Sequence, residues 1–107
     1  MYEVIDNQIR LVRGDSFYAT VEVFDQGEPY TPSQGDVIRF AVKLMYADKE
    51  ALITKVIPND TLLLKLEPED TKELPVLTYV YDVEITKENG DVDTFIRGNL
   101  TLLNEVI

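Results

Sequence analysis

Apolar and polar residues alternate with period two through most of the chain, the signature of strands with one buried face. In Phe17–Phe24 one face carries Phe17, Ala19, Val21 and Val23, and the other Tyr18, Thr20, Glu22 and Phe24. The run "VIRFAVKLMY" (37–46) sets Ile38, Phe40, Val42, Leu44 and Tyr46 inward and Arg39 and Lys43 outward. "LTYVYDVEIT" (77–86) sets Leu77, Tyr79, Tyr81, Val83 and Ile85 against Thr78, Val80, Asp82, Glu84 and Thr86. Shorter runs, "LITKVI", "TLLLKL", "VDTFIR" and "NLTLLNEVI", read the same way. Helical period is nearly absent. The exception is a short helical turn near 68–73, where Pro68 suits a first turn and Glu69 and Asp70 favour the positive end of the helix dipole.

Turn chemistry separates these runs. "DQGEPYTPSQGD" (25–36) predicts two turns or a short excursion between strands, and "PND" (58–60) predicts another. Asn89-Gly90 is the strongest hairpin signal, because both residues tolerate positive φ. Short strands at this spacing predict an all-β fold, an antiparallel β-sandwich of about seven to nine strands. One domain over 1–107 is expected, since a chain of this length can bury a single core without staples. No linker, low-complexity run or repeat divides it.

Composition supports that picture and narrows the chemistry. Twelve Val, eight Ile and nine Thr against four Ala favour pleated surfaces over helices. The formal charge is -10, with twenty acidic and ten basic residues. Nucleic-acid affinity rests on Lys and Arg displacing counterions from phosphates, so DNA and RNA are poor partners, as are anionic membrane surfaces. There is no Cys, His or Trp. Disulfides, zinc-thiolate sites, thiol nucleophiles and the usual neutral-pH base are therefore missing. An enzyme and a cofactor are not expected. The start "MYEVIDNQIR" lacks the basic and long apolar regions of a signal peptide, and no apolar run approaches a membrane span.

Arg13-Gly14-Asp15 could be an adhesion ligand on a loop or a bend before a strand. A partial echo, Arg97-Gly98-Asn99, keeps the Gly but loses the Asp, which favours backbone geometry; Gly14, Asp15 and Gly98, like Asn89 and Gly90, are read as structural turns. Asp91 and Asp93 are weak calcium candidates, since two carboxylates on one strand face fall short of the six to eight oxygens calcium takes. A carboxylate pair for glycoside cleavage has little specificity in so acidic a chain, and without Trp a sugar-binding platform is harder to build. Tyr79 and Tyr81 share a face and are read as core residues with hydroxyls at the rim, an interface face being the alternative. The apolar end Val106-Ile107 suits a last strand tucked into a sheet or completed by a neighbour.

Taken in order, "VRGDSFYATVEVFDQGEPY", "GDVIRFAVK", "LEPEDTKEL" and "YVYDVEITKENGDVDTFIRGNLTLLNEV" resemble a small domain encoded in tail modules of phages and prophages of Firmicutes. They are similar to the N-terminal domain of phage upper-baseplate proteins, an Ig-like β-sandwich that helps build the tail tip. The resemblance spans Arg10 to Ile107. It rests on the Gly14-Asp15 turn, Pro68–Thr71 before Leu74, the strand Tyr79–Asp82, and Gly90 followed by Thr94. Val76-Leu77-Thr78 stands where the pattern has a Gly before the tyrosine strand. The family implies a non-enzymatic assembly role through contacts with other tail or baseplate proteins, a homo-oligomer, no cofactor, and a place in the virion after synthesis in the bacterial cytoplasm. The chain is then a free-standing module or a piece of a larger product. The alternative is an Ig-like ligand-binding module for carbohydrate or calcium.

Overall fold

The inward residues of the long alternating runs meet on one face of a six-stranded sheet. The computed structural model describes residues 1–106. Its strands are β1 (Tyr2–Ile5), β2 (Gln8–Val12), β3 (Phe17–Thr20), β4 (Phe24–Asp25), β5 (Glu28–Pro29), β6 (Val37–Lys43), β7 (Ile53–Ile57), β8 (Leu63–Leu66), β9 (Thr78–Thr86) and β10 (Val92–Leu103). One helical turn, α1 (Pro68–Thr71), follows β8. The large sheet runs β1-β2-β10-β9-β6-β7, while β3-β8 and β4-β5 form two-stranded sheets. The fold is all-β and sandwich-like.

Two features depart from the expected plain antiparallel sandwich. Among the described residues ten strands occur where seven to nine were expected, because β1 and the β4–β5 pair come from segments without long alternation. The large sheet is also mixed: β2 runs parallel to β10, with Gln8 opposite Asn99 and Val12 opposite Leu103. A parallel pair needs a long crossover, and here nearly the whole chain intervenes.

Alternation becomes burial on the large sheet. Ile9 and Leu11, Leu100 and Leu102, Tyr79 to Ile85 at every second position, and Ile38, Phe40 and Val42 are all buried. Phe17, Val21, Val23, Leu64 and Leu66 complete one apolar cluster from the facing layer. Each such side chain contributes about 1.5–3 kcal/mol on leaving water, so this inner layer dominates the stability. The other face of the large sheet is polar, with Arg39, Thr54, Arg97 and Thr101 set opposite or beside Val56, Ala41, Asp82 and Thr78.

Three inward assignments fail where alternation outlasts the strand. β6 stops at Lys43, the chain turns as Asp48 N–H donates to Met45 O at 3.0 Å, and Leu44 and Tyr46 are exposed. The Tyr46 ring instead lies 4.3 Å from the Arg97 guanidinium. Leu77 precedes β9 and is likewise exposed. The apolar chain end is not tucked into the sheet either: β10 ends at Leu103 and Val106 is fully exposed, while Ile107 lies outside the described residues. α1 falls where Pro68 and the acidic first turn placed it, and the Glu67 N–H donates to the Asp70 carboxylate at 2.7 Å. No helix among the described residues is long and apolar enough to cross a membrane.

Candidate functional site

The Arg13-Gly14-Asp15 turn joins β2 to β3, and each of its residues is engaged within the chain. Gly14 has φ +84°, and its N–H donates to the hydroxyl of buried Thr71 at 2.8 Å. The Arg13 guanidinium holds Glu105 through two bonds, at 2.8 and 3.2 Å, and also donates to Leu74 O. The pairing raises the guanidinium and lowers the Glu105 carboxyl from their ordinary values. Asp15 accepts from the chain's amino terminus, and its own N–H donates to Val12 O. The tripeptide is thus a tied bend connecting β2, α1 and the segment after β10.

Its partial echo is built differently. Gly98 lies inside β10, opposite Tyr81, and is not a turn. A Cβ there would run into the carbonyl oxygen of Asn7, so the residue is Gly because the β1–β2 turn sits directly on it. That turn uses Asp6 and Asn7 at φ 48° and 64°, the geometry of a tight two-residue hairpin. Asp-Asn between short apolar runs was its signal in the sequence. The Tyr81 hydroxyl donates to the same Asn7 carbonyl at 2.9 Å, and burial pushes the phenol up to about 12. Tyr79 is also a core residue, its hydroxyl donating to Pro75 O at 2.6 Å.

Between β9 and β10 the connection runs over residues 87–91, with Glu88–Gly90 at its tip. Gly90 N–H donates to Lys87 O and Lys87 N–H to Asp91 O, and Gly90 alone, not Asn89, has positive φ. Asp91 immediately precedes β10 and Asp93 lies within it. Asp91 faces the Asn89 amide and Asp93 accepts from Gln26 N–H. Among the described residues no three carboxylates are grouped to hold a metal ion.

A carboxylate that sequence reasoning missed organises this end. Asp36 is 5% exposed and accepts from Tyr30 OH at 2.6 Å, Ser33 N–H at 2.8 Å and Glu88 N–H at 3.0 Å. These donors, the tyrosine foremost, hold its carboxyl below the usual aspartate value and raise the phenol. Together these three bonds close the 30–36 loop against the β9–β10 loop. Among the described residues every buried side-chain nitrogen and oxygen has a partner.

Unsatisfied capacity lies instead on backbone at a sheet edge. β1 pairs only with β2, and Met1 O accepts from Val12 N–H. In an antiparallel ladder hydrogen-bonded residues alternate, so Glu3 and Ile5 bond inward while Tyr2 and Val4 turn their N–H and C=O outward. Val4 and Ile5 are 48% and 58% exposed, and β1 has no Lys, Pro or bulge, devices that commonly protect an edge. At the opposite edge β7 packs near β8, and its Lys55 is paired with Asp70 of α1 at 2.8 Å.

Beside β1 the sandwich gapes. A cleft of ≈ 350 Å³ has Ile9, Tyr81 and Val83 on one wall and Phe17, Ala19 and Leu64 on the other, with Val4 and Glu22 at its mouth. It exists because β2 leaves β10 at Gln8–Asn99, a bulge interrupts β10 between Thr94 and Ile96, and β3 ends at Thr20. Neither the edge nor the cleft was legible beforehand, since both arise from which strands become neighbours. Comparisons with known family models, curated proteins and solved structures returned no match to this chain.

Proposed function

We propose that this domain is a non-enzymatic assembly module, of the kind used in phage or prophage tails and baseplates, working by protein–protein contact. The observation that carries the assembly reading is the open β1 edge, where two residues present paired backbone donors and acceptors between exposed apolar side chains. Strand addition at such an edge supplies main-chain hydrogen bonds, and the alternating side chains supply selectivity. The tail assignment rests on the ordered resemblance from Arg10 onward, and on it the Ig-like description of the sandwich also rests. The partners on this reading are further copies of the chain and other tail or baseplate proteins.

Light scattering on the purified protein tests the assembly reading. A defined oligomer is expected, and Val4→Pro should dissociate it. Proline there removes an outward N–H without breaking a β1–β2 bond, and edge positions tolerate it. A monomer at high concentration that calcium or a glycan stabilises against heat would overturn the reading in favour of a ligand-binding module.

A further inference from the structure

The cleft beside β1 has the chemistry of a slot for one kind of occupant. Its lining is mainly apolar, with Asn7, Thr20, Glu22 and Tyr81 as its polar members, and contains no Lys or Arg. Its volume lies at the small end of the range for ligand pockets, about 300–1,000 Å³, enough for a few aliphatic groups. The buried lining offers no free side-chain polar group to orient a small molecule, since the Tyr81 hydroxyl is already committed to Asn7. A regular row of hydrogen-bonding capacity lies along β1, through the outward groups of Tyr2 and Val4, and β3, paired only with β8, has a second open edge at the cleft. The charged groups at the rim are acidic, Glu22 in the lining and Asp6 in the turn next to Asn7, and both are exposed.

We propose that this cleft receives an extended segment of a partner protein, apolar at alternate positions and basic at those between. The segment adds to the free edge of β1, lowers an apolar side chain between Val4 and Ala19, and brings a cation to Glu22 and Asp6. A second copy of this chain can pair along the β1 edge, where the segment would displace it, but it cannot fill the cleft, because its own apolar-basic runs, around Arg39, Lys55 and Lys65, are committed to strands β6, β7 and β8. The net charge of -10 steers a basic segment towards the cleft. The inference rests on the assembly reading above and names the partner's chemistry.

The probe is a capped decapeptide of alternating Lys and Val, titrated into the ¹⁵N-labelled protein and followed by amide shifts. Shifts centred on Val4, Ala19 and Ile96 are expected, and a Lys-Ser decapeptide of equal charge should not produce them. Ala19→Phe fills the slot and Glu22→Lys reverses its rim without touching the core; each should weaken binding about tenfold or more. Equal shifts from the Lys-Ser peptide, or unchanged affinity in both variants, would overturn the slot. Shifts confined to β1 that survive Ala19→Phe would sink the slot and leave strand addition standing. No shift at either place at millimolar peptide also overturns it, while the assembly reading is then judged by light scattering alone.

Discussion

Gly98 shows how a single residue can be informative for a reason its neighbours in sequence do not reveal. Its match to Gly14 in the two Arg-Gly motifs invites one explanation, a bend. At Gly14 that holds, since φ is +84° and a Cβ would meet open space. At Gly98 the backbone is strand and the constraint is space, set by the carbonyl of Asn7 near the other end of the chain. The two substitutions therefore have different physics. Gly98→Ala should lift the β1–β2 turn off β10, strain the Tyr81–Asn7 bond and cost about 1–3 kcal/mol, as overpacking does. Denaturant titration measures the loss, and amide shifts should spread over Asp6–Ile9. A stability within experimental error of the parent would show that the hairpin does not rest on Gly98.

At the scale of elements, what could be read in advance was whatever is local. The inner faces of β6 and β9 follow from alternation alone, and α1 follows from Pro68 and its acidic first turn. Strand ends were less legible: Leu44, Tyr46 and Leu77 continue the period but lie beyond the ladder, and period says nothing about where pairing stops. The linkage of α1 to the β2–β3 bend was invisible, because it joins Thr71 to Gly14 across the fold. Thr71 is wholly buried, and its hydroxyl is the acceptor for the Gly14 N–H. Thr71→Val keeps the shape and removes that acceptor, so a partly buried donor is left unmet at up to about 1–3 kcal/mol. Thr71→Ser should recover most of it. Hydrogen exchange at Gly14 is the sharper readout: strong acceleration in the valine variant and near-parent protection in the serine variant are expected.

For the whole molecule, the all-β character was legible from composition and period, but the order of strands was not. Nothing local states that β2 lies parallel to β10, and from that pairing come both the open β1 edge and the cleft. Charge also acts at this scale, and it makes acid behaviour a competition. Mild acidification discharges carboxylates and relieves the self-repulsion of a chain at -10, which favours the compact state. Asp36 acts in the opposite sense. Its folded carboxyl is held down by Tyr30 and the Ser33 and Glu88 N–H groups, so below its unfolded value, about 3.9, the unfolded chain takes up the proton first. Its contribution is complete above that value and is lost as pH falls through the lower, folded one. Stability should therefore hold or rise from pH 7 towards about 5 and fall steeply below about 4. In Asp36→Asn the neutral amide cannot titrate, so the plateau should drop and the acid limb flatten. Thermal melts of both proteins from pH 7 to 3 test this. Parallel acid limbs would mean that the fall belongs to other carboxylates, and that the Asp36 knot contributes shape without contributing to the pH dependence.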